Sequence, residues 1–250
     1  MASDPLHQFQ INPVVELPKI GGLDISLTNS AAFMIAATVL ATGLLVMGMR
    51  GRALVPGRLQ SVAELLYEFI AGMVRENAGA EARKYFPFVF SIFTFILFGN
   101  LLGMIPGAFT FTSHIIVTFA LAAVVFLFVT ILALVKHGLH FFSFFFPAGA
   151  PIALAPLIIP IEIISYLSRP VSLSIRLFAN MMAGHTMLKV FAGFTVSMGA
   201  AMGAAGYAFG FVPVLLNVAL VGFEILVAFM QAYVFTILTC IYIRDAIELH

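Results

Sequence analysis

Charge is what this sequence has least of. Lysine, arginine, aspartate and glutamate together make up 9% of its 250 residues, where a soluble domain carries about 25%. Water is therefore not the solvent for most of the chain. Twelve basic and 11 acidic residues leave a net charge of +1, which gives no electrostatic case for a nucleic-acid partner. Cysteine occurs once, as Cys240 in an apolar run. One thiol supports no disulfide framework, and a buried one is ordinarily packing. HExxH and GxSxG are both missing, and no aspartate falls inside an apolar run. Metalloprotease and serine-hydrolase chemistry therefore have no carrier, and no metal or cofactor is expected.

What is present is hydrocarbon: 62% of the residues are hydrophobic and the mean hydropathy is +1.11. Residues 1–27 hold Asp4, Glu16, Lys19 and Asp24. They lack the basic start and short apolar core of a signal peptide and the arginine-rich, acid-poor character of a transit peptide. They are expected to form an outer tail, and the first apolar run is expected to stay in the mature protein. That run, Thr28 to Met49, has 22 residues without a charge, enough to cross a hydrocarbon core of about 30 Å. It stops at Arg50, Arg52 and Arg58, with Pro56 and Gly57 between them.

Residues 59–78 differ in kind. Leu59, Val62, Leu65, Leu66, Phe69, Ile70 and Met73 recur at helical spacing with Glu64, Glu68 and Arg75 between them. This is the pattern of an amphipathic helix lying on a membrane. Two further crossings are predicted at 85–105 and 114–135, joined through Pro106-Gly107-Ala108. The run FFSFFFPAGAP (141–151) is too short and proline-broken to cross and is placed at the interface.

The last hundred residues hold two overlong runs, 152–194 and 212–243, flanking a Gly/Ala-rich stretch at 195–210. The first would measure about 64 Å as one helix, so strong tilt or kinks near Pro160 and Pro170 are expected. One crossing each gives an all-α integral membrane fold of five spans and one surface helix. With the N-terminus outside and the C-terminus cytoplasmic, Arg50, Arg52, Arg58, Arg75, Arg83, Lys84, Lys136 and Arg244 all fall inside.

The polar residues in these runs carry the information. An ionised side chain at mid-bilayer costs about 2.5–3.5 kcal/mol on insertion scales. Glu162, Arg169, Arg176, His185, Lys189 and Glu224 nevertheless lie there, with Asn180, Asn217 and Gln231. Lys189 and Arg169 are read as a snorkelling residue and a structural partner. Arg176 sits mid-run in SLSIRLFANMMAGH, with Ser172 and Asn180 one turn to either side on the same face. Its guanidinium keeps its proton at any cellular pH, so it is a fixed charge and not a proton carrier. His185 and Glu162 can carry protons; His185, nine positions on, faces away from Arg176. Asn217, Glu224 and Gln231, spaced by seven, form a polar stripe. The stripe is either a helix–helix contact or the wall of a polar path.

RPVSLSIRLFANMMAGH (169–185), EILVAFMQAYVFTILTCIYI (224–243) and FGNLLGMIPG (98–107) resemble the subunit a family of F-type ATP synthases. The resemblance spans most of residues 30–248. It implies that Arg176 is the family's essential arginine facing a rotor ring of c subunits, with Ser172, Asn180 and Gln231 near it. His185 and Glu224 match a pair of channel positions that some bacterial members carry the other way round, which keeps one imidazole and one carboxyl. Glu162 and Asn217 match further channel positions. The implied partners are the rotor ring, the b subunits of the peripheral stalk, membrane lipid and the translocated proton, in a bacterial inner membrane. The implied fold has two long tilted helices forming a hairpin. The implied work is proton translocation through two half-channels, with no catalytic chemistry in the chain itself. A secondary transporter would show two related halves, whereas these halves differ in run length and polarity.

Overall fold

A computed structural model describes residues 7–16, 26–51, 53, 55–105, 107–146 and 154–248. Lys19 and most of the expected tail, Arg52, Pro106, part of the interfacial segment and residues 152–153 of the fourth run lie outside them. Backbone groups in hydrocarbon must satisfy their own hydrogen bonds, and the described chain does so almost entirely with helices: α1 (Asn29–Met49), α2 (Arg58–Ala78), α3 (Phe86–Gly103), α4 (Ile115–His137) and α5 (Ala155–Ile247). Five stretches are long and apolar enough to cross a membrane, two of them within α5, at 155–200 and 210–247. In the second of these only 11% of the most apolar window is buried. A surface so apolar and so open needs lipid or a partner to cover it.

The start of α1 was read at Thr28, and its cap is there: the Ala31 N–H donates to Thr28 Oγ1 (3.2 Å), satisfying a first-turn donor. Just ahead, Pro13–Val15 and Leu27–Thr28 pair as a short antiparallel ribbon with a bulge, which the sequence pattern did not signal. α2 carries two apolar strips. Ala63, Ile70, Met73 and Val74 are buried, while Leu59, Val62, Leu65 and Phe69 are exposed. That is the double-sided pattern of a helix lying at an interface.

The α5 backbone stays helical for 93 residues, including 195–210, which the composition had marked as a loop. A straight helix of that length would reach about 140 Å. The chain divides into two compact units: residues 1–41, 95–114 and 177–232, and residues 42–94, 115–176 and 233–250. In the first, His185 meets Glu224 and a Cβ at Gly210 would touch Thr195. In the second, Arg169 meets Asp245. Within the first unit, therefore, the two arms of α5 run antiparallel.

The second unit is tied at its charged end. Arg169 donates to Asp245 at 3.0 Å and lies over the rings of Tyr242, Tyr166 and Phe144 at 4.9, 5.4 and 5.8 Å. Tyr166, itself buried, shares a hydrogen bond with Thr130 of α4 (2.7 Å). His137 Nε2 donates to the Ala246 carbonyl (3.1 Å), and Lys136 to Glu81 (2.8 Å). Arg169 is thus a structural cation, as its sequence position suggested.

Asp245→Asn should leave Arg169 without its counter-charge. We expect a loss of roughly 1–2 kcal/mol, kept small because Asp245 is partly exposed, read as a lower thermal unfolding midpoint in detergent. Replacing both partners with apolar residues should cost less than the single change, since it strands no charge. An unshifted midpoint for Asp245→Asn would remove the anchoring role.

Candidate functional site

In the first unit α3 ends at Gly103, and the chain returns through Thr110 and a single turn at Phe111–Ser113. Against this return pack the two arms of α5. His185 is buried between them, 8% exposed, and Glu224 is buried at 4%. His185 Nε2 lies 2.8 Å from Thr110 Oγ1 and 3.0 Å from the Gly103 carbonyl. Nδ1 lies 3.0 Å from the Met181 carbonyl and 2.5 Å from Glu224 Oε1. Thr110 Oγ1 also donates to the Gly103 carbonyl (3.3 Å), so its lone pairs are free to accept from the ring.

The two carbonyls can only accept. Both ring nitrogens therefore face acceptors, an environment that suits an imidazolium beside a carboxylate or a neutral ring sharing one proton with a carboxylic acid. Glu224 approaches Nδ1 closely but without hydrogen-bond alignment. Among the described residues, neither of its oxygens has a hydrogen-bond partner although both are buried. A buried carboxylate with unfilled acceptor sites is costly to hold.

The carboxylate fits because residue 184 has no side chain. A Cβ at Gly184 would stand 2.6 Å from Glu224 Oε1 and 2.9 Å from its Cδ. Asn100, fully buried, holds the same arm from α3. Its amide donates to the Ala228 carbonyl (3.1 Å), one turn beyond Glu224, and its oxygen accepts from Thr112 (2.8 Å). Asn217 is half-buried with a buried, unpartnered Oδ1, and Gln231 is half-buried. The polar stripe of the second arm thus lies along a partly covered edge, with Glu224 its most buried member.

Arg176 has a different setting. It is exposed, as are Ser172 and Asn180, and it makes no hydrogen bond or ion pair among the described residues. Apolar Val171 and Ile175 beside it are exposed too. Glu162, half-buried, is likewise without an ion pair. The structure therefore joins His185 to Glu224 and gives Arg176 to the outside of its unit. Sequence reasoning did not single out Asn100, Thr110, Thr112 and Gly184. Asn100 was visible only as a lone amide in an apolar run, and the carbonyls of Gly103 and Met181 leave no side-chain signal.

The chain as a whole is similar to known proteins. Residues 31–244 match the family described as ATP synthase A chain. The chain is 58% identical over 247 residues to the ATP synthase subunit a of Granulibacter bethesdensis, covering 99% of this chain and 97% of that protein. It is 58% identical to the protein of the same name from Parvibaculum lavamentivorans, covering 98% and 94%. For the one from Agrobacterium fabrum the figures are 56%, 99% and 99%.

Gly184→Ala should force Glu224 out of its place. Overpacking of this kind costs about 1–3 kcal/mol, and we expect a lower thermal midpoint of the solubilised protein. Glu224→Asp, one methylene shorter, should restore part of the loss in the Gly184→Ala background. If Gly184→Ala unfolds like the parent, the close packing described here is not maintained.

Proposed function

The chain belongs to the ATP synthase A chain family, and from that premise we propose that it is the stator half of a rotary proton path. As a member of that family it is a multi-pass protein of a bacterial inner membrane and part of the ATP synthase complex. In our reading its N-terminus is outside and its C-terminus cytoplasmic. The crossings are 28–49, 85–105, 114–135, 152–194 and 212–243, the last two tilted well beyond the usual 20° or so. The partners are a ring of c subunits, each bearing a carboxylate, and the b subunits of the peripheral stalk.

The mechanism moves protons and breaks no covalent bond. Protons enter an outer half-channel lined by Asn217, Glu224 and His185. The imidazole and carboxyl pass them inward. A rotor carboxylate is neutralised and can turn into lipid. After nearly a full turn it meets the second half-channel and releases the proton; Glu162 is a further channel position. Arg176 separates the two paths, and Ser172, Asn180 and Gln231 are the further polar residues of that passage. The arginine attracts each returning carboxylate in its ionised form and bars protons from crossing without rotation. Each proton falling through 100 mV supplies about 2.3 kcal/mol.

The observation that carries this reading is the setting of Arg176. A guanidinium kept only for stability would be paired inside the chain. Here Glu224 is engaged by His185, and Arg176 has no ion pair among the described residues while its apolar surroundings are open. An external carboxylate on an apolar partner matches that surface.

Lysine keeps a positive charge but loses the planar fork, and it can deprotonate when desolvated. Arg176→Lys should therefore fail to support ATP synthesis in vesicles with confirmed subunit content; synthesis at parental rates would overturn the assignment. His185→Ala and Glu224→Gln should each slow proton flow by roughly 100-fold or more without loss of assembly, as for a lost proton-transfer group. Parental pumping rates in both would place the outer path elsewhere.

A further inference from the structure

The second unit holds both paired and unpaired cations. Lys136, Arg169 and Arg244 are each paired with a carboxylate, Glu81, Asp245 and Glu248, at 2.8, 3.0 and 3.0 Å. Arg75, Arg83 and Lys84 form no hydrogen bond or ion pair among the described residues. These three line one cavity of about 800 Å³ between the end of α2 and the start of α3. Its lining also holds apolar Val74 and Phe86, and Glu68 is its one carboxylate among the described residues. The Tyr67 and Phe86 rings meet there edge to face at 4.8 Å.

We propose that this cavity binds the phosphodiester headgroup of an anionic phospholipid. The depth is right for one. The apolar helix α3 begins at Phe86, two residues past Lys84, so the three cations sit where hydrocarbon gives way to phosphate. α2, with its exposed apolar strip, lies along the same boundary. Two arginines present forked donors that suit phosphate oxygens, and the aromatic and aliphatic floor suits the glycerol and upper acyl carbons. Basic pockets at the ends of membrane helices hold anionic lipids by this combination. An acidic protein segment could satisfy the charges but has no need of a cavity opening at the hydrocarbon boundary. The proposal requires only that the chain spans a membrane, so it stands apart from the roles given to Arg176, His185 and Glu224.

The test uses the assembled membrane sector, stripped of lipid in detergent and titrated with phosphatidylglycerol or phosphatidylcholine, bound lipid being read by native mass spectrometry. The parent should retain phosphatidylglycerol preferentially, and each of Arg75→Gln, Arg83→Gln and Lys84→Gln should weaken that retention about fivefold. Glu68→Gln, which removes the opposing charge, should strengthen it and guards against a variant that simply fails to assemble. Unchanged retention in all four variants overturns the proposal. So does loss of another subunit from the Arg or Lys variants with lipid retention intact, which would make a protein segment the occupant. Displacement of the lipid by inorganic phosphate alone at comparable concentration would reduce the cavity to a simple anion site and overturn it as well.

Discussion

A guanidinium does not release its proton at any pH a cell reaches, because its charge is delocalised over the planar fork. Arg176 is therefore a permanent charge in the middle of a 46-residue apolar stretch. At mid-bilayer it costs about 2.5–3.5 kcal/mol on insertion scales. The protein could have removed that cost by pairing it inside, as it does for Arg169 with Asp245. Arg176 instead lies exposed among exposed apolar side chains. The rest of the account follows from that choice. On the proposed function, the open flank is where an apolar, carboxylate-bearing partner would sweep past, and the titratable groups would need to lie on other faces so that barrier and proton path do not short-circuit.

His185 and Glu224 meet that second requirement. Nine residues from Arg176 carry His185 to the buried side of its helix. There Thr110 and the Gly103 carbonyl hold Nε2, and the Met181 carbonyl holds Nδ1. The absence of a side chain at Gly184 admits the carboxyl, and Asn100 holds the second arm one turn away. A charge on an open face and a buried imidazole–carboxyl pair are two features of one helix, separated by its 3.6-residue period.

Much of this was legible in the sequence because bilayer thickness and helical period are strict rulers. The uncharged runs gave the apolar helices, and the last two were already too long to stand upright. Angular arithmetic alone separated Arg176 from His185. What the sequence hid is tertiary. The run 195–210 reads as a loop by its Gly/Ala content, yet in an apolar setting its backbone remains helical. Asn100 and Thr110 are ordinary polar residues until folding brings them to Ala228 and His185, and carbonyl partners carry no sequence signal at all. Arg169 and Arg176 are the same residue type seven positions apart, and only the aromatic enclosure and Asp245 tell the structural one from the exposed one.

The central claim is that Arg176 bars protons from crossing unless the rotor turns. It is tested most directly by passive proton flux through vesicles containing the assembled membrane sector with Arg176→Ala, subunit content confirmed. The account predicts that ATP-driven pumping is abolished while the sector itself becomes leaky to protons. Assembled Arg176→Ala complexes that remain proton-tight, or that still synthesise ATP, would contradict it.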